Sequence, residues 1–206
     1  MSDVLILIPA AGASSRMRGA DKLLEPVDGV PLLERQTRAA LASGANVLVT
    51  VSRDFPSRAR VLQGITDPGL DVSDDIDGRE GMAVSLRAGA LAAQQAQATG
   101  LMILPADMPE ITAADIAAML AAFRTTPQAA HRATSAQGIP GHPVLFPARL
   151  FDALSRVSGD QGARDVLTGE DLRLTALPGD HALVDLDTPE DWAAWRKARS
   201  GASGQV

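Results

Sequence analysis

VLILIPAAGASSRMRGADK, Val4 to Lys22, is the stretch whose reading decides the fold. It opens on an unbroken apolar run, Val4 to Ile8, which reads as a strand buried on both faces in a parallel sheet. Pro9 ends the run, and the small residues Ala10, Ala11, Gly12 and Ala13 follow. Small side chains let backbone N–H groups approach an anion closely, and Arg16, Arg18 and Lys22 add positive charge within the same loop. The combination reads as a phosphate-binding loop at the carboxyl end of a strand, where open α/β sheets place their ligands. Two common templates fail here. GxGxxG needs a glycine where Ser14 stands, and GxxxxGK[ST] needs one where Met17 stands. A dinucleotide-binding dehydrogenase and a Walker-type ATPase are both disfavoured.

Working outward, strand-like runs alternate with alanine-rich helical segments. Val47 to Val51 and Leu101 to Leu104 read as buried strands, and Leu32 to Ala42, Met82 to Ala98 and Thr112 to Phe123 as helices. Thr112 with Asp115 forms a capping-box pattern, and Ser43-Gly44 ends the first helix. This order predicts right-handed crossovers and a mainly parallel sheet. Beyond residue 128 the pattern loosens. Pro143 to Phe146 and Ala182 to Leu186 are strand candidates, and Pro189 to Arg199 is a closing helix with Thr188 as N-cap. The expected organisation is one domain over 1–199 with a disordered tail over 200–206.

The composition narrows the function classes. The 206 residues are 46% hydrophobic but only 3% aromatic, which suits alanine-rich helices on a sheet. A net charge of -6 without a further basic block argues against a nucleic-acid partner. The absence of cysteine excludes disulfides, a thiolate metal site and a cysteine nucleophile. No apolar run approaches the roughly 20 residues that span a membrane. The start lacks a basic segment ahead of its short apolar run, so it reads as a strand rather than a signal peptide, and a cytoplasmic location is expected.

Four further segments carry chemistry. In LPADMPEI, Leu104 to Ile111, Asp107 stands just past a strand, where a carboxylate suits Mg²⁺, a hard cation that bridges protein to phosphates; the structural alternative is a turn cap. In VDLDTPEDW, Val184 to Trp192, Asp185 and Asp187 are two apart and share one face, so one of them could complete a metal site opposite Asp107. In IPGHPVLF, Ile139 to Phe146, His142 lies between Gly141 and Pro143; a lone loop histidine is not assigned proton transfer. GDQGARDVL, Gly159 to Leu167, is a glycine-rich turn entering a short helix, with Asp160 and Arg164 as polar handles. GREGMAVSLRAG, Gly78 to Gly89, runs from a glycine-rich turn into a helix that carries Ser85.

Together these segments resemble the MobA-like NTP-transferase family, and within it the molybdenum cofactor cytidylyltransferases. The resemblance covers most of the chain. It implies a Rossmann-like three-layer α/β/α sandwich with a mainly parallel sheet, like that of the nucleotide-diphospho-sugar transferases. It implies transfer of a nucleotide from a nucleoside triphosphate to an anionic acceptor, with release of pyrophosphate. By resemblance, Ala10, Ala11, Gly12, Ser15, Arg16 and Lys22 would bind the nucleotide, with Arg16, Lys22 and Asp107 carrying the chemistry. Gly81 and Ser85 would lie near base and ribose. Asp107 and Asp187 would hold Mg²⁺, or Mn²⁺ in its place, with Asp185 as the substitute for Asp187. His142, Asp160 and Arg164 would face the acceptor. Members that transfer CMP resemble PAAG at Pro9 to Gly12, whereas members that transfer GMP resemble LAGG, so CTP is the expected donor. A molybdopterin-type acceptor, and a molybdenum hydroxylase or its insertion chaperone as partner, complete the expectation. The same residues would also serve transfer to a sugar or another small phosphorylated acceptor; a non-catalytic cofactor carrier has no need of a metal–triphosphate site.

Overall fold

The computed structural model describes residues 3–159 and 162–202. The opening apolar run forms β1 (Val4–Ala10), and a small hairpin of β2 (Pro26–Val27) and β3 (Val30–Pro31) leads into α1 (Leu32–Leu41). The alternation continues through β4 (Asn46–Ser52), α2 (Pro56–Leu62), β5 (Leu70–Ile76), α3 (Met82–Gln95) and β6 (Gly100–Ile103). Then come α4 (Ala113–Thr125), β7 (Ala130–Thr134), β8 (Pro140–Pro147), α5 (Phe151–Leu154), α6 (Gly162–Val166), β9 (Leu172–Ala176) and α7 (Pro189–Ala202).

Seven strands make one sheet in the order β5-β4-β1-β6-β8-β7-β9. β8 is antiparallel to both neighbours and the other pairings are parallel, so the sheet is mainly parallel as the sequence predicts. The chain moves outward from β1 through β4 to β5, then returns to place β6 on the other side of β1. That reversal opens a crevice beyond the carboxyl ends of β1 and β6.

The two-residue period of β1 separates two cores. Val4, Ile6, Ile8 and Ala10 pack with Leu33 and Ala40 of α1, Leu62 of α2 and Met119, Leu120 and Phe123 of α4. Leu5 and Leu7 pack on the opposite face with Ala83, Leu86 and Ala90 of α3 and Phe151 and Leu154 of α5. The result is three layers. Gly89 in α3 lies so close to the sheet that a Cβ there would collide with the Leu7 side chain. A third, smaller cluster joins Met17 of the first loop and Leu32 to Leu186 and Trp192, beneath α7.

The four longest helices, α1, α3, α4 and α7, start where the sequence predicts, while α2 and α5 were not foreseen. Thr112 and Asp115 exchange side chain-to-backbone hydrogen bonds at the start of α4, and Thr188 and Asp191 do so before α7. Two expectations change, and two edge strands were not foreseen. Ala182 to Leu186 is not a strand: the N–H groups of Leu183 and Val184 both donate to the Asp180 carbonyl, curling the chain before it reaches a ladder. Val184 and Leu186 instead pack into the cluster under α7, while Ala182 joins the main core. β5 and β9 are sheet edges that no apolar run announces; Asp71, Asp74 and Asp75 stand exposed on β5, a charged edge that discourages pairing with another chain. Finally, α7 continues through Ala202, past the predicted end at Arg199, while residues 203–206 lie outside the described part. No described helix is long and apolar enough to cross a membrane.

The curled segment 180–187 is seated by Gly141, where any Cβ would fall within the Ala182 carbonyl group. The His142 N–H donates to that same oxygen at 2.8 Å. Because the obstacle is backbone, Gly141→Ala is expected to cost about 1–3 kcal/mol, as overpacking does. A thermal melt should register this as a fall in Tm of about 3–10 °C; an unchanged Tm would show that the segment gives way freely.

Candidate active site

The loop that the sequence suggests for phosphate leaves the end of β1 at Ala10 and makes a short 3₁₀ turn over Ser15–Met17. Ser14 (φ 47°) and Arg18 (φ 52°) flank that turn in the left-handed region, a conformation that non-glycine residues keep only when the surroundings hold it. Two anchors do so. Met17 is buried in the cluster with Leu186 and Trp192, and Arg58 of α2 grips the loop from behind. Gly78 lies against the loop as well, since a Cβ there would strike the Ala11 carbonyl oxygen.

Asp107 lies on the turn after β6. Gln36 of α1 donates to the Met108 carbonyl at 2.8 Å, Arg35 donates to that of Pro109, and the Asp107 carbonyl accepts from Leu186 N–H at 3.1 Å. This last contact brings Asp187, at the approach to α7, opposite Asp107. Lys22 Nζ stands between the two carboxylates, 2.5 Å from Asp107 Oδ2 and 2.7 Å from Asp187 Oδ1. Arg16 Nη1 holds the other Asp187 oxygen at 2.6 Å. Burial works against the Lys22 charge, but Asp107 and then Asp187 outweigh it and raise its pKa above the ordinary lysine value. Asp185 lies close enough for its carboxyl to be pushed above the usual range, first by burial and then by the charges of Asp107 and Asp187.

These groups form the wall shared by two halves of one cleft. In one half the loop from Pro9 to Arg16 faces Gly81, Met82 and Ser85 at the start of α3. Gly81 has φ 70° and ψ −152°, a conformation open essentially to glycine alone, and Ser85 is buried. The other half is lined by Arg132, Gly141, His142, Leu183 and Asp185, with Met82 and Met108 as apolar surface. The His142–Pro143 peptide is cis. Burial, and then the Arg132 charge, hold the His142 pKa below the usual histidine range. His142 is therefore neutral at neutral pH, and its buried Nδ1 has no hydrogen-bond partner among the described residues.

The structure thus brings Ala10, Ala11, Gly12, Ser15, Arg16, Lys22, Gly81, Ser85, Asp107 and Asp187 to one half and His142 to the other. Arg164 is exposed on α6 and lines neither half. Asp160 lies outside the described residues. Two arginines escape sequence reasoning. Arg58 belongs to no motif, and Arg132 stands in a strand without an apolar run; its Nε donates to the Gly141 carbonyl at 2.9 Å.

The donor set suits a hard divalent cation. Two carboxylate oxygens already converge on one cation, the Lys22 ammonium, within 2.7 Å. Among the described residues no group of three or more His, Cys, Asp or Glu side chains is arranged as a metal cage. Oxygen atoms of a bound phosphate would have to complete the shell, as is usual for Mg²⁺ at nucleotide sites.

The profile of the MobA-like NTP transferase domain matches residues 6–177, and the chain belongs to that family of nucleotidyltransferases. It is 28% identical to purine catabolism protein PucB of Bacillus subtilis, over 97% of this chain and 99% of that one. It is 36% identical to a molybdenum cofactor guanylyltransferase of Xanthomonas euvesicatoria, over 91% of each. Among solved structures, Rv0371c of Mycobacterium tuberculosis superposes with a TM-score of 0.77 at 26% identity, over 95% of this chain and 98% of that one. Rv0371c has also been solved in complex with manganese, and that structure matches with a TM-score of 0.72 at 25% identity over 93% and 96% of the chains. The Rossmann-like α/β fold expected from the sequence is the fold observed.

Proposed function

We propose that this chain moves CMP from CTP to a phosphorylated acceptor of the molybdopterin type, releasing pyrophosphate, with a divalent ion held by Asp107 and Asp187. The observation that carries the reading is the meeting of two carboxylates and two cations on the wall between two half-clefts. The half lined by the phosphate loop suits the triphosphate, and the half lined by Arg132 and His142 suits the acceptor. The PAAG segment at Pro9 to Gly12 supports CTP as donor.

The acceptor phosphate needs no general base, because its second pKa is about 6 and it is largely a dianion at neutral pH. One of its oxygens attacks the α-phosphorus of CTP. A new P–O bond forms, the bond to the α–β bridging oxygen breaks, and its electron pair leaves with pyrophosphate. Arg16 and Lys22 neutralise the charge on the phosphates, and the loop orients the triphosphate so that the leaving bridging oxygen lies opposite the attacking oxygen across the α-phosphorus. A divalent ion on Asp107 and Asp187 would supply further charge neutralisation there. A neutral His142 contributes hydrogen bonding to the acceptor rather than charge.

Calorimetric titration of CTP, GTP, ATP and UTP with Mg²⁺ tests the donor, and pyrophosphate release with pterin or sugar-phosphate acceptors tests the reaction. Selective CTP binding and release only with the pterin support the full reading. The names of the guanylyltransferase relatives favour a second reading in which GTP is the donor. Tighter binding of GTP than of CTP selects that reading and removes the weight placed on Pro9 to Gly12.

A further inference from the structure

We infer that Arg58 is a positioning residue for the nucleotide: from behind the loop, its guanidinium sets the peptide planes that face the triphosphate. The inference rests on the nucleotide-binding reading above and adds to it a residue that touches no substrate.

Arg58 is fully buried and lines neither half of the cleft. All five of its N–H donors are used, and all on one stretch of chain. Nε and Nη2 grip Asp21 Oδ2 and Oδ1 at 2.7 and 2.8 Å, a two-pronged contact that matches the planar fork to a carboxylate. Nη1 donates to the carbonyl oxygens of Ala10 and Gly12, both at 2.6 Å, and Nη2 also donates to Ser14 Oγ at 2.8 Å. The guanidinium carbon lies 4.4 Å from the centre of the Phe55 ring, which covers its face. A buried guanidinium is tolerated only when its donors are satisfied in this way, and removing its partners is costly.

The directional consequence follows from the planar trans peptide, in which C=O and N–H point to opposite sides. Arg58 draws the Ala10 and Gly12 carbonyls backwards. The N–H groups of the following residues, Ala11 and Ala13, are thereby turned the other way, towards the cleft that these residues line. Alternate N–H groups presented on one side of a small-residue loop make an anion-binding concavity. Ser14, held in the left-handed region at φ 47°, ends that concavity, and Arg58 fixes its hydroxyl. Asp21, the neighbour of Lys22, ties the exit of the loop to the same guanidinium. One side chain therefore sets the backbone donors and the approach to the lysine together.

Arg58→Lys keeps the charge but cannot span five acceptors. Its affinities for CTP–Mg²⁺ and for pyrophosphate are to be measured by calorimetry at 20 °C, together with the thermal midpoint of the nucleotide-free protein. Pyrophosphate release then gives KM for CTP and kcat. Measured below the melting transition, affinity counts only folded protein, so a residue that merely stabilises the fold would lower Tm and leave both affinities unchanged. The expected result is a loss of about tenfold or more in both affinities, the scale of losing charge-assisted hydrogen bonds, with KM for CTP rising more than kcat falls. Ser14→Ala, which removes one of the five contacts and folds more readily, should shift both affinities in the same direction by less. Wild-type affinities in Arg58→Lys overturn the inference. Should that variant fail to fold, unchanged affinities in Ser14→Ala overturn it. A wild-type protein that binds no nucleoside triphosphate overturns the underlying reading instead, and the inference falls with it.

Discussion

Asp107→Ala should turn over about 10²–10³-fold more slowly than the wild type, the scale of losing one strong electrostatic stabiliser, while keeping its fold. The fold survives because the structural duty of this residue lies in its backbone, whose carbonyl accepts from Leu186 N–H. The Asp107 side chain contacts Lys22, and removing it leaves Asp187 in place for that lysine. Chemistry suffers because a divalent ion would lose one of its two protein carboxylates, and the phosphates would keep more of their charge in the transition state. Asp107→Asn, which keeps the shape and loses the charge, should behave alike. Pyrophosphate release at saturating CTP and Mg²⁺ checks both variants, and rates within about threefold of wild type would remove Asp107 from the metal role.

The Lys22→Met variant should lose about 10²-fold in kcat/KM for CTP, because a cation aimed at the triphosphate is gone. A second effect has the opposite sign. In the ligand-free protein Lys22 occupies the point on which Asp107 and Asp187 converge, 2.5 and 2.7 Å from their oxygens. A metal ion arriving alone must displace that ammonium, whereas an ion arriving with a triphosphate offers the lysine new anionic partners. Lys22→Met should therefore bind Mn²⁺ more tightly than wild type in the absence of nucleotide, which the electron paramagnetic resonance signal of free Mn²⁺ measures directly. Equal Mn²⁺ affinity in the two proteins would mean that the lysine does not compete for the site. Lys22→Arg is no remedy, since a planar fork cannot sit at one point between two carboxylates as an ammonium does.

What the sequence disclosed and what it hid divide along physical lines. β1, β4 and β6 are central strands, buried on both faces, and so appear as apolar runs. The starts of α4 and α7 are visible because Thr112–Asp115 and Thr188–Asp191 carry their caps within four residues. β5, β7 and β9 lack such runs, and LDVSDDI and AHRAT become strands through pairing with neighbours distant in sequence. Within the candidate site, the placement of the first loop and of Asp107 at strand ends was legible because turn chemistry and charge stand together in the chain. Arg58 was not: its five acceptors lie 37 to 48 residues away, and only the folded chain brings them within reach of one guanidinium. Ala182 to Leu186 misled for the opposite reason, since its apolar residues are buried without belonging to the sheet.

The cluster beneath α7 ties the first loop to a segment more than 150 residues further along the chain. Met17 is seated by Leu186 and Trp192, Arg16 and Lys22 are held by Asp187, and Arg18 pairs with Glu190 at 2.7 Å. The stretch shared with the family profile stops at residue 177, before any of these partners. Every strand of the sheet, β1 to β9, can therefore be in place with Arg58 gripping the first loop from behind, and the loop still lacks its contacts to Leu186, Asp187, Glu190 and Trp192. The loop is held from two sides, by Arg58 of α2 and by the segment that runs into α7. Seating of the first loop is thus coupled to the docking of α7 and not to completion of the sheet alone.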